Sequence, residues 1–357
     1  MPAFSTEAMT ELATKIFESV GVPGADASIV SRNLVDANLR GHDSHGVMRI
    51  PQYVGFLRNG DYRIDVPLAV ETDSPAIVVC DANWGLGQVQ AHRLLDLIIP
   101  RCRTLGLAAG TARNCGHIGR LGEYAERASA EGLILIATVN NDGAGQRVAP
   151  PGGIQGRLGT NPLCVSVPTE QVDEPLVLDF GTSVVAEGKV RRYYINGKEP
   201  VPDGWLLDAK GEPTNDPSVL YEPPLGSILP MGASQAYKGF GLGLVLDLLS
   251  GGLSGGNASY PGAPPARGNN VFFLVLDPAK FAGVETLTAQ SSRLASYVRE
   301  TPRRAGVEAV LLPGEPERRV LEVRSARGIP LENAHWAKLT ELAQELQIAL
   351  PEPLPES

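Results

Sequence analysis

The chain has 357 residues, with 40 Asp and Glu against 31 Lys and Arg and a formal charge of −9. At 43% hydrophobic and 20% charged residues it holds enough apolar material for a full core, which excludes global disorder. The acidic balance argues against nucleic acid or an anionic membrane as the main partner, because phosphate binding needs clustered Lys and Arg.

The first segment, Met1 to Gly21, is polar throughout and reads as an amphipathic helix with Ser5 and Thr6 as caps, not as an export signal. Ile29, Val30, Leu34, Val35 and Leu39 place a second helix over 26–40, which Gly41 stops. A third helix is expected from Pro51 to Arg58, closed by Asn59-Gly60. Between the second and third lies Gly41-His42-Asp43-Ser44-His45-Gly46-Val47-Met48-Arg49, which gathers two of the chain's five histidines with Asp, Ser and Arg. His titrates nearest neutral pH, and Arg presents a planar fork suited to a carboxylate. With Val47 onward helical, His45 and Arg49 stand four apart on one face, a base beside a carboxylate clamp. The bland reading is a polar helix–helix turn. A metal site is not expected, since no carboxylate or thiolate cluster completes a set around His42 and His45.

The pattern changes near residue 75. A strand at 76–80, a helix at 88–105, a strand at 107–113, a helix at 121–130 and a strand at 133–139 give the alternation of an α/β domain. Further strands are expected at 163–167, 176–179 and 271–276, and a helix at 238–249. Asn114-Cys-Gly-His117-Ile-Gly-Arg120 follows a strand and opens a helix, where glycines let backbone N–H groups approach a phosphate. It is not the dinucleotide fingerprint, and Gly85-Leu-Gly87-Gln-Val-Gln90 ends in Gln where that fingerprint needs Gly. Leu178-Asp-Phe-Gly-Thr-Ser183 suits a ribose- or phosphate-contacting turn or, equally, ordinary helix caps. Tyr237-Lys-Gly-Phe-Gly-Leu-Gly243 either seats a phosphate or lets helices pack closely.

Helices return from about residue 287, the last over 331–350, before a Pro-rich tail. We therefore expect an N-terminal helical part over 1–74, an α/β cofactor-binding domain over 75–286, and a C-terminal helical part over 287–357 that packs with the first. Cys80, Cys102, Cys115 and Cys164 are scattered without a C-x-x-C pair, as reduced thiols of a cytoplasmic protein would be. No apolar window is long enough to span a bilayer.

Taken together, the motifs at Asp43–Arg49, Asn114–Arg120, Leu158–Leu163, Leu178–Ser183 with Gly188-Lys189, Asp203–Trp205, Pro213–Pro217, Tyr237–Leu242 and Leu312–Glu315 resemble the malate/L-lactate dehydrogenase family of NAD(P)-dependent oxidoreductases, in that family's order. The resemblance implies a mixed α/β fold, unrelated to the Rossmann lactate dehydrogenases, with a family-specific mixed sheet inserted in a helical domain built from both termini. It implies NAD or NADP as cofactor, a small 2-hydroxy or 2-oxo acid as substrate, and a homodimer with sites near the subunit interface. It makes His45, supported by Ser44, the proton donor and acceptor, with His117 a rival, and gives Arg49 and Thr160 to the substrate. It gives His117, Ile118, Gly119, Arg120, Leu121, Leu178, Asp179, Phe180, Tyr237, Lys238, Pro313, Gly314 and Glu315 to the cofactor. Members that reduce cyclic imines carry Asp where this chain has Lys189, which favours a hydroxy acid. A cyclic imine-2-carboxylate reductase, a ureidoglycolate- or keto-sugar-acid-type dehydrogenase, and a non-catalytic carboxylate-binding protein are the alternatives.

Overall fold

The computed structural model describes residues 1–355; Glu356 and Ser357, the end of the expected Pro-rich tail, lie outside the described residues. In chain order the N-terminal elements are β1 (Ala3–Phe4), α1 (Thr6–Ser19), α2 (Gly24–Leu39), α3 (Ile50–Arg58) and β2 (Ala69–Asp73). Then come β3 (Ile77–Asp81), α4 (Gly87–Leu105), β4 (Leu107–Gly116), α5 (Leu121–Ala130), β5 (Ile134–Asn140), β6 (Leu163–Val167) and β7 (Leu176–Phe180). They are followed by α6 (Glu187–Ile195), β8 (Leu206–Leu207), β9 (Pro213–Thr214), β10 (Ser227–Ile228), α7 (Tyr237–Asp247) and β11 (Gly268–Leu276). The chain closes with α8 (Val284–Arg299), α9 (Glu315–Arg327), β12 (Ile329–Pro330) and α10 (Asn333–Glu345).

Seven strands form the main sheet in the order β2-β3-β4-β11-β5-β6-β7. Only β3 and β4 pair in parallel, across the α4 connection. β11 enters between β4 and β5 and runs antiparallel to both, so the alternation of strand and helix yields the mixed sheet that the family resemblance implied. The sheet also begins earlier than its strand signal. β2 lies in the stretch expected to be helical, and its sequence Ala-Val-Glu-Thr-Asp is mostly exposed and lacks alternation.

Three apolar clusters organise the molecule. One joins the sheet to α4 and α5 through Leu94, Leu95, Ile98, Tyr124, Leu135 and Phe273. A second unites the two ends of the chain, with Phe4, Ile16, Phe17, Leu34 and Tyr53 against Ile329, Leu339 and Leu342. The third packs the loops after β5 and α6 around Val148, Val190, Leu206 and Ile228, on the three-stranded sheet β10-β8-β9. The site lies where these three bodies meet.

Candidate active site

The segment between α2 and α3 does not continue either helix. It forms two single 3-10 turns, Asp43–His45 and Val47–Arg49, separated by Gly46 in extended conformation. His45 and Arg49 therefore do not share a helix face as expected, because Gly46 breaks the spiral between them. Ser44 Oγ lies 3.0 Å from His45 Nδ1, which leaves Nε2 as the nitrogen free for chemistry. Arg49 donates from Nε to the Ser44 carbonyl at 2.7 Å and from Nη1 to Gln52 at 2.8 Å. It reinforces the turn and does not line the cavity.

This turn is held from two sides. Asn38, at the end of α2, accepts from the Val47 N–H at 2.8 Å and donates to Asp43 at 2.6 Å. From α9, Arg324 grips both oxygens of Asp43 at 2.6 and 3.1 Å and also donates to the Asn38 carbonyl. Glu317, two turns earlier on α9, pairs with His42 at 3.4 Å.

His117 faces His45, the two rings nearly parallel with centroids 5.5 Å apart. Its backbone N–H donates to Tyr62 Oη at 2.8 Å, and that hydroxyl donates to the Arg267 carbonyl at 2.5 Å. The next N–H, of Ile118, donates to the Asn269 side chain at 3.0 Å. Glycine is required beneath this loop: a Cβ on Gly87 would lie 2.2 Å from the Gly116 carbonyl oxygen. The Gly85-Leu-Gly87 motif thus serves close backbone packing under the site.

The cavity between these walls has a volume of about 790 Å³, inside the roughly 300–1,000 Å³ range of small-molecule sites. His45, Ser44, His117, Gly119, Arg120, Leu121, Asp179, Phe180 and Thr160 all line it. The Arg120 guanidinium is buried and paired with Asp36 at 2.9 Å and Glu126 at 2.6 Å. Asp179 accepts from the Gly122 N–H at 2.8 Å, so a carboxylate already caps the α5 N-terminus where a phosphate was expected. Lys189 lines the cavity from α6, and a Cβ on the preceding Gly188 would lie 2.7 Å from Ser44 Cβ. Helix α6 therefore abuts the His45 turn.

Other expected residues are not brought to the cavity by this chain. Ile118 is fully buried. Leu178 is exposed, and so are Tyr237 and Lys238. The Pro313 carbonyl accepts from Val177 at 3.2 Å, Gly314 takes φ +91° as the cap of α9, and Glu315 accepts from the Leu312 N–H at 2.6 Å and pairs with Arg299.

Both site histidines are held neutral. Burial pushes His45 down to about 3, with the charges of Arg49, His42 and Arg120 adding to it. Burial, then Arg49 and His45, holds His117 well below the ordinary range. A neutral imidazole is the form that accepts a proton. Asn38, Tyr53, Tyr62, Gln88, Asn269 and Arg324 were not found from the sequence. No local motif marks them, since each acts on a segment distant in the chain.

Comparison with known proteins follows the same lines. The model of the family described as malate/L-lactate dehydrogenase matches residues 4–340. Hydroxycarboxylate dehydrogenase B of Escherichia coli strain K12 is 35% identical over 353 residues, covering 98% of this chain and 95% of that protein. Malate dehydrogenase of Pyrococcus horikoshii is 35% identical over 341 residues, covering 94% and 92%. Its solved structure superposes with a TM-score of 0.86 at 31% identity, covering 99% of this chain and 97% of that one. The solved delta1-piperideine-2-carboxylate reductase of Pseudomonas syringae pvar. tomato superposes with a TM-score of 0.80 at 30% identity, covering 96% and 100%.

Proposed function

The chain belongs to the malate/L-lactate dehydrogenase family, and we propose that its substrate is a small 2-hydroxy or 2-oxo acid carrying a second anionic group. It is an NAD(P)-dependent oxidoreductase of 2-hydroxy acids. The observation that carries the finer reading is Lys189. It is an exposed cation on the cavity wall, next to the glycine that abuts Ser44, and it has no ion pair among the described residues. A carboxylate or sulfonate at the far end of the substrate would meet it.

The cavity fits a nicotinamide cofactor. Its wall is bare backbone at Gly119 and Gly181, and Asn141, Thr160, Asp179 and Ser183 offer polar groups for ribose and amide. Gly119 to Leu121 with Asp179 and Phe180 would hold it. The nicotinamide supplies the hydride acceptor or donor at C4. In oxidation, neutral His45 takes the hydroxyl proton at Nε2 while Ser44 holds the ring through Nδ1. In reduction, the protonated ring returns that proton. Arg49 stands behind this wall, and its positive charge, which acts on both His45 and His117, favours the substrate carboxylate beside C2 from there without lining the cavity. Thr160 contributes a hydroxyl at the same wall.

The working unit in this reading is a homodimer. Helix α7 is rich in apolar residues, and Tyr237, Leu244, Val245, Leu248 and Leu253 on and just beyond it are all exposed, which is the composition of a surface buried by a second copy. A cytoplasmic setting agrees with four buried, unpaired cysteines, and no helix among the described residues is long and apolar enough to cross a membrane.

NADH and NADPH fluorescence on adding protein, followed by a panel of pyruvate, oxaloacetate, 3-sulfopyruvate and delta1-piperideine-2-carboxylate, tests the reading. The dianionic oxo acids are expected to give the highest kcat/KM. Lys189→Met is expected to raise KM for them at least about ten-fold, the loss of one charged contact, with little change for pyruvate. Turnover of the cyclic imine alone would overturn the reading.

A further inference from the structure

His117 is gripped by a chain of buried groups that the proton-transfer scheme does not use. Tyr53, from α3, places its Oη 2.6 Å from His117 Nδ1, and Gln88, from α4, donates its side-chain amide to that oxygen at 3.2 Å. The Gly119 N–H also points at Nδ1, at 3.3 Å. Tyr53 and Gln88 are each almost completely buried, and Tyr53 packs its ring 6.0 Å from that of His117.

The direction of these bonds follows from the one donor that cannot turn round. A backbone N–H only donates, so His117 Nδ1 accepts from Gly119 and carries no hydrogen. The short contact to Tyr53 is then made by the tyrosine hydroxyl donating to the same nitrogen. That hydroxyl has its hydrogen to give, because burial pushes the phenol up to about 12. Having donated, it accepts from Gln88, which orients the amide with Nε2 toward Tyr53 and leaves Gln88 Oε1 without a partner. The ring hydrogen of neutral His117 is thereby assigned to Nε2.

We propose that Tyr53, oriented by Gln88, is a positioning residue that fixes His117 in its Nε2–H form, so that His117 serves the bound reactants as a hydrogen-bond donor and cannot act as the base. His45 differs in kind. Its Nδ1 faces a serine hydroxyl, which donates or accepts, and this leaves the ring free to change protonation state. The two stacked imidazoles then divide the work: His45 moves the proton, and His117 holds a fixed donor toward the cavity. The division rests on the dehydrogenase reading, whereas the tautomer itself does not.

The test separates the two. Histidine-15N-labelled enzyme without ligands is compared as wild type, Tyr53→Phe and Gln88→Met, with the His117 resonances identified by their loss in His117→Gln. The wild type is expected to show an unprotonated Nδ1 and a protonated Nε2. Tyr53→Phe removes the donating hydroxyl at 2.6 Å, and Gln88→Met removes the group that directs it; the Gly119 N–H that remains is at 3.3 Å, too weak a contact to hold the tautomer alone, so each is expected to give a mixture of tautomers. In turnover, Tyr53→Phe is expected to lower kcat about ten-fold, the scale of one hydrogen bond to the reactants that is no longer held in place, with the Kd for NADH unchanged within two-fold. A protonated Nδ1 in the wild type, or an unaltered tautomer in both variants, overturns the proposal whatever the substrate proves to be. If Tyr53→Phe does not fold, Gln88→Met carries the same spectral test. An absence of turnover beside the expected spectra counts against the dehydrogenase reading alone.

Discussion

His45 gains its character from position and not from residue type. Burial and the nearby charge of Arg49 hold it at about 3, so it is fully available as a base at neutral pH. For hydroxy-acid oxidation, kcat/KM is therefore expected to show no loss from His45 between pH 8 and 5. Reduction needs the protonated ring, and its rate is expected to fall as pH rises. His45→Ala is expected to lower kcat about 10²–10⁴-fold while the Kd for NADH stays near the wild-type value. The same lowering has a stability consequence. Between the unfolded value near 6.5 and the folded value near 3, the unfolded chain binds the proton and the folded one does not, so stability is lost on acidification through that window. The loss is at most about 1.4 kcal/mol per pH unit for each such histidine. Thermal denaturation followed from pH 7 to 4.5 is expected to show a shallower decline of Tm in His45→Gln than in the wild type.

The turn that carries His45 is too short to define its own geometry. Two 3-10 turns and a glycine leave it dependent on α2, through Asn38, and on α9, through Arg324. Arg324→Met is expected to lower kcat about ten-fold, because a small displacement of a positioned group is costly to rate. It is expected to cost only about 1 kcal/mol of stability, since Asp43 remains substantially exposed. Steady-state kinetics beside a denaturant titration measure the two effects. The elements themselves were readable where local chemistry defines them. Ser5 caps α1 as its sequence suggests, accepting from the Ala8 N–H at 3.1 Å. Helix α5 and strand β6 occupy the residues that their periodicity marks out. Strand β2 was missed because an exposed edge strand needs no alternation. The helix α6 signal was hidden in a polar stretch, Glu-Gly-Lys-Val-Arg-Arg, with a single buried residue, Val190.

At the scale of the whole molecule, the exposed apolar surface of α7 calls for a partner surface. Leu248→Glu would place a charge in the proposed contact, and light scattering coupled to gel filtration is expected to show a dimer for the wild type and a monomer for the variant. Local periodicity marks out the α/β alternation, residue types that chemistry singles out mark the segments that supply Ser44, His45 and His117, and the order of the motifs along the chain carries the resemblance that implies the family and its mixed sheet. That β11 parts β4 from β5 emerges only in the folded chain. The folded structure alone shows that Arg120 is committed to buried ion pairs and that Tyr53 and Arg324 reach across the chain to orient the site. Those contacts join residues 64 and 281 positions apart. Such pairings follow from which apolar faces find each other in the folded core, and no local pattern records them.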